Sequence, residues 1–230
     1  MLPIFPAHIF CPETVTAGVM ADVVSGGTSL AGEQDVIEAD GGGRWMITMS
    51  GIALDDPYTQ RLWKAWMAKL AGGATPVLVP LLSVATGPRP IAGNGFATPS
   101  DLYANDDYFP TEVRFASPHI IATITVPVAL RATTMQITVS QGGQIQPGMD
   151  FAAGVHAYTV EEVVSRSGLS ATVRTVPPAR EAITSGAAAN FDWPCVVCRL
   201  VPGQSLAAQI VSGLYADTEI QFVEDTAYVA

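Results

Sequence analysis

Basic residues are scarce in this chain. Lysine and arginine number 11 against 21 aspartates and glutamates in 230 residues, a formal net charge of −10. A nucleic-acid-binding surface needs clustered cations to displace counterions, so the balance argues against that class. An acidic wall past which DNA slides without sticking is compatible with it. Cysteine is as sparse, and three residues, an odd count, argue against a disulfide framework. The histidines His8, His119 and His156 are scattered, whereas a zinc site needs about four ligands. No apolar run is long enough to span a bilayer, so no membrane partner is expected. The opening residues MLPIFPAHIF carry no basic region and no export pattern, which points to folding in a cytoplasm.

Catalytic signatures are missing too. There is no G-x-S-x-G elbow and no glycine-rich phosphate loop between a strand and a helix. Glu161 and Glu162 fall on an expected strand, where at least one should face solvent, a poor arrangement for acid–base partners. Cys195 and Cys198 form a C-x-x-C, but three apart on a strand they point to opposite faces, and a redox pair usually opens a helix. They read as small apolar strand residues. Asp101, Asp106 and Asp107 lack the alternating oxygen ligands and closing glutamate of a calcium loop. No catalytic, cofactor-binding or metal-binding residue is therefore assigned, and the chain is expected not to be an enzyme.

What remains is 49% hydrophobic and 14% charged, with 21 glycines and 17 prolines. That composition supports a sizeable core, many turns and a weakly polar surface suited to burial against other subunits. With one convincing helix, the class is mainly β.

The organising stretch runs from Gly43 to Leu82 and holds three of the four tryptophans. Trp45, Ile47 and Met49 alternate with Arg44, Thr48 and Ser50, the period of a half-buried strand. Asp56 and Pro57 then make a helix start, and Thr59, Leu62, Trp63, Trp66, Met67 and Leu70 form one apolar stripe. Gly72 or Gly73 is expected to close this helix by taking positive φ. Val77 to Leu82 reads as a short apolar strand.

Before this stretch, residues 1–12 read as a proline-broken lead-in without regular pairing. Glu13 to Val24 alternates as a strand, Ser25 to Thr28 reads as a glycine turn, and Ser29 to Ala39 as a second strand. After it, Val84 to Ser117 has no period but contains Phe96, Leu102, Tyr103, Tyr108, Phe109 and Phe115, too aromatic for plain disorder. It reads as an extended arm that packs on a neighbour. Short strands follow: Ile120, Ala122, Ile124 and Val126 alternate, as do Met135, Ile137 and Val139, while Tyr158, Val160 and Val164 lie on another strand and Ala171 and Val173 on the next. Cys195 to Val201 is expected as the last strand of this group. Leu206 to Leu214 reads as a short strand or loop, and Glu219 to Glu224 as a strand that rejoins the first sheet.

The expected architecture is thus a β-sheet or sandwich domain with one packed helix (57–71), spanning 1–84 and completed by 204–230. An arm covers 85–118, and an inserted small β-barrel or β-sandwich covers 119–203.

Several stretches carry a resemblance: SLAGEQDVIEADGGGRWMITM, the helix RLWKAWMAKLAGG leading into PVLVPL, IQPGMDFAAGVHAYTVEEVV, ATVRTVPPAREAITSGAAANF and the closing EIQFVE. In this order they resemble distal tail or baseplate ring proteins of long-tailed phages and prophages, over most of the chain. The resemblance implies a structural virion component assembled in the host bacterial cytoplasm: a six-subunit ring at the tail tip, joining the tail tube protein to the baseplate hub protein, with DNA only as passing cargo. The middle region is shorter than the galectin-like domain of many such proteins, so carbohydrate binding is not carried over. The alternative reading is a carbohydrate- or receptor-binding β module, with Tyr158, Phe191 and Trp193 as its candidate aromatics.

Overall fold

A computed structural model describes residues 2–21, 23–28, 30–38, 42–83, 87–88, 120–204, 209–211 and 215–228. The fold is mainly β, with thirteen strands, two α-helices and one 3-10 turn among the described residues. Its contacts divide it into two compact units, Met1–Leu82 with Cys195–Ala230, and Ser83–Pro194.

In chain order the first unit opens with a short helix, α1 (Ala7–Phe10), then β1 (Thr14–Met20), β2 (Val23–Thr28), β3 (Gln34–Glu38), β4 (Arg44–Ala53), the long helix α2 (Pro57–Leu70) and β5 (Val77–Pro80). The second unit holds β6 (Ile121–Ile124), β7 (Thr134–Gln141), β8 (Asp150–Ala153), β9 (His156–Ser167) and β10 (Ser170–Val176). The chain then returns to the first unit with β11 (Cys195–Leu200), β12 (Gln209–Val211) and β13 (Tyr215–Glu224).

The first sheet runs β1-β4-β13-β11-β5, with β12 paired to β13. All its ladders are antiparallel, so strands from both ends of the chain interleave. Alternation along β4 buries Trp45, Ile47 and Met49, and β13 adds Ile220 and Phe222. Helix α2 starts where Asp56 Oδ1 accepts hydrogen bonds from the amides of Tyr58 (2.6 Å) and Thr59 (3.0 Å), with Pro57 at the first turn. Trp63 and Leu70 are its buried residues, while Trp66 is half-buried and carries the Lys69 ammonium 4.6 Å from its ring centroid.

Four expectations need correction. The lead-in is part of the core: Phe5 and Phe10 are buried, Phe5 lies 5.1 Å from the Phe222 ring and Phe10 lies 5.2 Å from Trp63. Ile4 bridges Leu78, so prolines at 3 and 6 flank a pairing rather than prevent it. Helix α2 ends at Ala71, which already takes φ 48°, one residue before the glycines. Gly73 is needed for a different reason: at φ 101° its missing Cβ would sit 2.7 Å from the Leu200 carbonyl oxygen. Residues 25–28, read as a turn, lie in β2, and the turn falls after them. Finally, β11 does not belong to the inserted group. It pairs with β5 (Cys195↔Pro80) and β13 (Leu200↔Phe222) in the first sheet. An apolar run such as VVCRLV has no label for which sheet it joins; both of its faces are buried in either.

The second sheet runs β6-β7-β10-β9-β8, with β6 and β8 at its ends. Residues 183–190 join them. Against β6, Ala189 N–H donates to Ala122 O and Ile124 N–H to Ala187 O, both 2.9 Å. Against β8, Ala152 and Asn190 exchange hydrogen bonds of 2.9 and 2.8 Å. The result is a small barrel filled by Ile124, Ile137, Phe151, Tyr158, Val160, Val173 and Phe191, all fully buried. Two irregularities bend β9: Val160 faces Thr175 and Glu162 faces Arg174, and Val163 faces Val173 while Ser165 faces Thr172. Glu161 and Val164 are the extra residues, so Val164 is exposed although its even spacing from the buried Tyr158 and Val160 would put it on their face in a regular strand.

Of the proposed arm at 85–118 only residues 87–88 are described; its aromatics and Asp101, Asp106 and Asp107 lie outside the described residues, as does His119.

Candidate functional site

The cysteine pair is the first place to look for chemistry. Cys198 is fully buried, and burial together with the nearby Glu224 and Asp225 holds its thiol well above the ordinary range. Burial pushes Cys195 up to about 11. The thiolate is the reactive and metal-binding form, so both are held as thiols at neutral pH. Cys11 is exposed and donates to His8 O at 3.1 Å. Next to the pair, Arg199 meets Asp225 at 2.6 Å and donates to the carbonyls of Gly73 and Ala74. It thereby satisfies carbonyls left free after helix α2. Glu224, also buried, accepts from the Trp45 amide at 3.0 Å. These charges tie β11, β13, β4 and the helix end together.

In the barrel, Glu161 and Glu162 both face solvent, because the bulge places consecutive side chains on the outside. Glu162 pairs with Arg174 at 2.9 Å, both about half exposed, a surface pair worth ~0–1 kcal/mol. His156 is buried opposite Ala153 at the β8–β9 turn. Asp150 accepts from Thr159 Oγ1 at 2.7 Å, and its burial raises its pKa above 3.8. Of the three aromatics weighed as a binding platform, Tyr158 and Phe191 lie in the barrel core, where Tyr158 Oη accepts from the Arg180 amide at 3.2 Å. Trp193 is 40% exposed, held by two hydrogen bonds between its backbone and the Asn190 side chain. Among the described residues no group of three or more His, Cys, Asp or Glu is placed to hold a metal, and no helix is long and apolar enough to cross a membrane.

The feature that stands out is a surface. Strands β1 and β4 pair from Thr14↔Ser50 to Met20↔Arg44, and the chain between them returns on itself as β2 and β3, paired from Val23↔Glu38. The four strands are one long hairpin interrupted between its halves. At the interruption Gly43 takes φ 77°, where a Cβ would lie 2.3 Å from Met20 O. The inner half belongs to the first sheet; the outer half forms a two-stranded sheet of its own. Val23, Val24, Val36 and Ile37 are all more than half exposed there. The sequence carries a signal for this. Val23–Val24 and Val36–Ile37 break alternation and make both faces apolar, a pattern of strands covered on both sides. Helix α2 offers a second exposed surface of opposite charge, the stripe Arg61, Lys64, Ala65 and Ala68.

No protein-family model matches the chain, and no curated protein matches it significantly.

Proposed function

We propose that this chain is a structural subunit of a phage tail tip, a ring that joins the tail tube to the baseplate hub and leaves a channel for DNA. The observation that carries the reading is the outer half of the long hairpin, apolar and exposed on both faces. A lone two-stranded ribbon is marginally stable in water, and exposed apolar strands are surfaces for a partner. A protein that works as part of an assembly has reason to keep such a ribbon.

Other observations support the same reading. The order of segments resembles distal tail proteins over most of the chain. The first sheet draws strands from both ends, with a barrel inserted between β5 and β11, which suits a unit that builds a ring and carries a separate inserted domain. The net charge of −10 suits a channel wall that DNA passes without sticking. Both thiols on β11 are held in protonated form, and Glu161 and Glu162 face solvent on β9. The alternative, a carbohydrate- or receptor-binding module, keeps only Trp193 of its three aromatics on the surface.

Negative-stain images of the purified chain test this reading. Closed rings with a central hole are the expected result. Single particles without a hole at every concentration would move weight to a binding module.

A further inference from the structure

The ribbon and helix α2 have opposite chemistry. From Met20 to Gly43 the sequence holds Asp22, Glu33, Asp35, Glu38 and Asp40 and no basic residue. From Pro57 to Leu70 it holds Arg61, Lys64 and Lys69 and no acid, three of the chain's 11 cations in one helix. Among the described residues both surfaces are open: every described side chain of β2 and β3 is exposed, and so are Arg61, Lys64, Ala65 and Ala68.

The register sorts the ribbon's faces. Val24 lies directly opposite Ile37, and with a period of two Asp35 falls on the same face as Ile37. Gly26 sits across from Asp35, its missing Cβ 3.5 Å from the Asp35 Cβ. That face is therefore a valine–isoleucine pair, a gap over a glycine, and one carboxylate. On the helix, positions 61, 64, 65 and 68 fall at i, i+3, i+4 and i+7, one stripe of two cations beside two alanines. The alanines leave room for branched side chains to approach the backbone, and the cations flank that approach.

We propose that the β2–β3 ribbon of one copy seats on helix α2 of a second copy, with Val24 and Ile37 over Ala65 and Ala68 and Asp35 against Arg61 and Lys64. The inference rests on the ring reading and names the contact that closes it. Ribbon-to-ribbon pairing about a two-fold axis sets Glu33, Asp35 and Glu38 against themselves, and helix-to-helix pairing does the same with the cations. Like charges brought together at an interface are costly. The ribbon-to-helix contact uses a different patch on each partner. Such a head-to-tail contact repeats, and it closes into a ring when the rotation between copies permits.

Charge reversal in the full-length chain tests the contact. Asp35→Lys and Lys64→Glu are both exposed changes, and each is expected to raise the concentration of half-assembly about tenfold or more. The two changes together restore wild-type assembly. Thermal melts of the dilute variants check that each remains folded. As a second measurement, Ile37→Cys with Ala65→Cys, in a Cys11→Ser background, is expected to give an oxidised ladder of linked copies. Rings that persist through each single reversal, or that form without a cross-linked ladder, overturn the contact and leave the ring reading standing. A wild-type chain that stays monomeric, or stops at a two-fold dimer, overturns both.

Discussion

The two units solve the problem of sheet edges in opposite ways. In the barrel, residues 183–190 pair with β6 on one side and bridge β8 at Ala152–Asn190 on the other, and a core of aromatic and branched side chains fills the inside. The first sheet has two different ends. Strand β5 is covered by Pro3–Phe5, with Phe5 N–H donating to Leu78 O at 2.8 Å and Leu78 N–H donating to Pro3 O at 2.9 Å. Strand β1 ends the other side of the sheet, and its hairpin runs on into the exposed ribbon. Closing a sheet removes its capacity to pair with another chain, and an exposed edge keeps it. Among the described residues, one unit turns its apolar strands inward, while the other leaves Val23, Val24, Val36 and Ile37 more than half exposed.

The largest effects should come from the two cores, and they should be separable. Trp63→Ala in the first unit and Phe151→Ala in the barrel each remove a fully buried ring and should cost ~3–5 kcal/mol. Calorimetry should find each loss in the transition of its own unit. A single shared transition displaced equally by both would break the division. Trp66→Ala should cost less than Trp63→Ala, because Trp66 is only half-buried.

Barrel closure is tested next. Ala189→Pro removes the amide that donates to Ala122 O and should cost ~1–3 kcal/mol, with faster hydrogen exchange along β6. Exchange left unchanged would mean that residues 183–190 do not close the barrel.

A smaller effect follows from Asp150. Burial raises its folded pKa above 3.8, so the ionised carboxylate costs stability at neutral pH. The stability linked to this group is fully present below 3.8 and is lost as pH rises through the raised folded value. Asp150→Asn should therefore raise Tm at pH 7 and keep the Thr159 hydrogen bond at its side-chain oxygen. The gain should shrink on acidification and vanish below 3.8. A gain that persists unchanged into acid would contradict the assignment.

The smallest effect on folding belongs to the ribbon. Ile37→Ser should change the stability of the isolated chain by no more than ~0.5 kcal/mol, since the side chain is 62% exposed. Its effect should appear in assembly. A large loss of monomer stability would mean that the ribbon packs within its own chain.

How much of this was legible in the sequence depends on the range of the interaction. The strand–helix–strand unit at 44–80 was readable because its signals are local: alternation in β4, the Asp56–Pro57 start, the apolar stripe of α2. The inward residues of β6, β7 and β10 were readable for the same reason. The membership of β11 was not, because a strand buried on both faces has no period to align with either sheet. The role of Phe5 and Phe10 was hidden behind Pro3 and Pro6, which suppress regular structure locally while the aromatic side chains pack at long range. The ribbon lay between the two cases. Its paired valines were visible, yet the glycines at 26 and 27 read as a turn, when a turn a few residues later leaves them in the strand. The candidate surface needed the structure, since it depends on exposure that no local pattern reports.

The most direct test of the central claim is the native mass of the full chain, measured by sedimentation across concentration. The expected result is monomer giving way to one closed species of fixed size, weakened by salt as a contact between opposite charges should be. A monomer at every concentration, or a series that grows without closing, would contradict it.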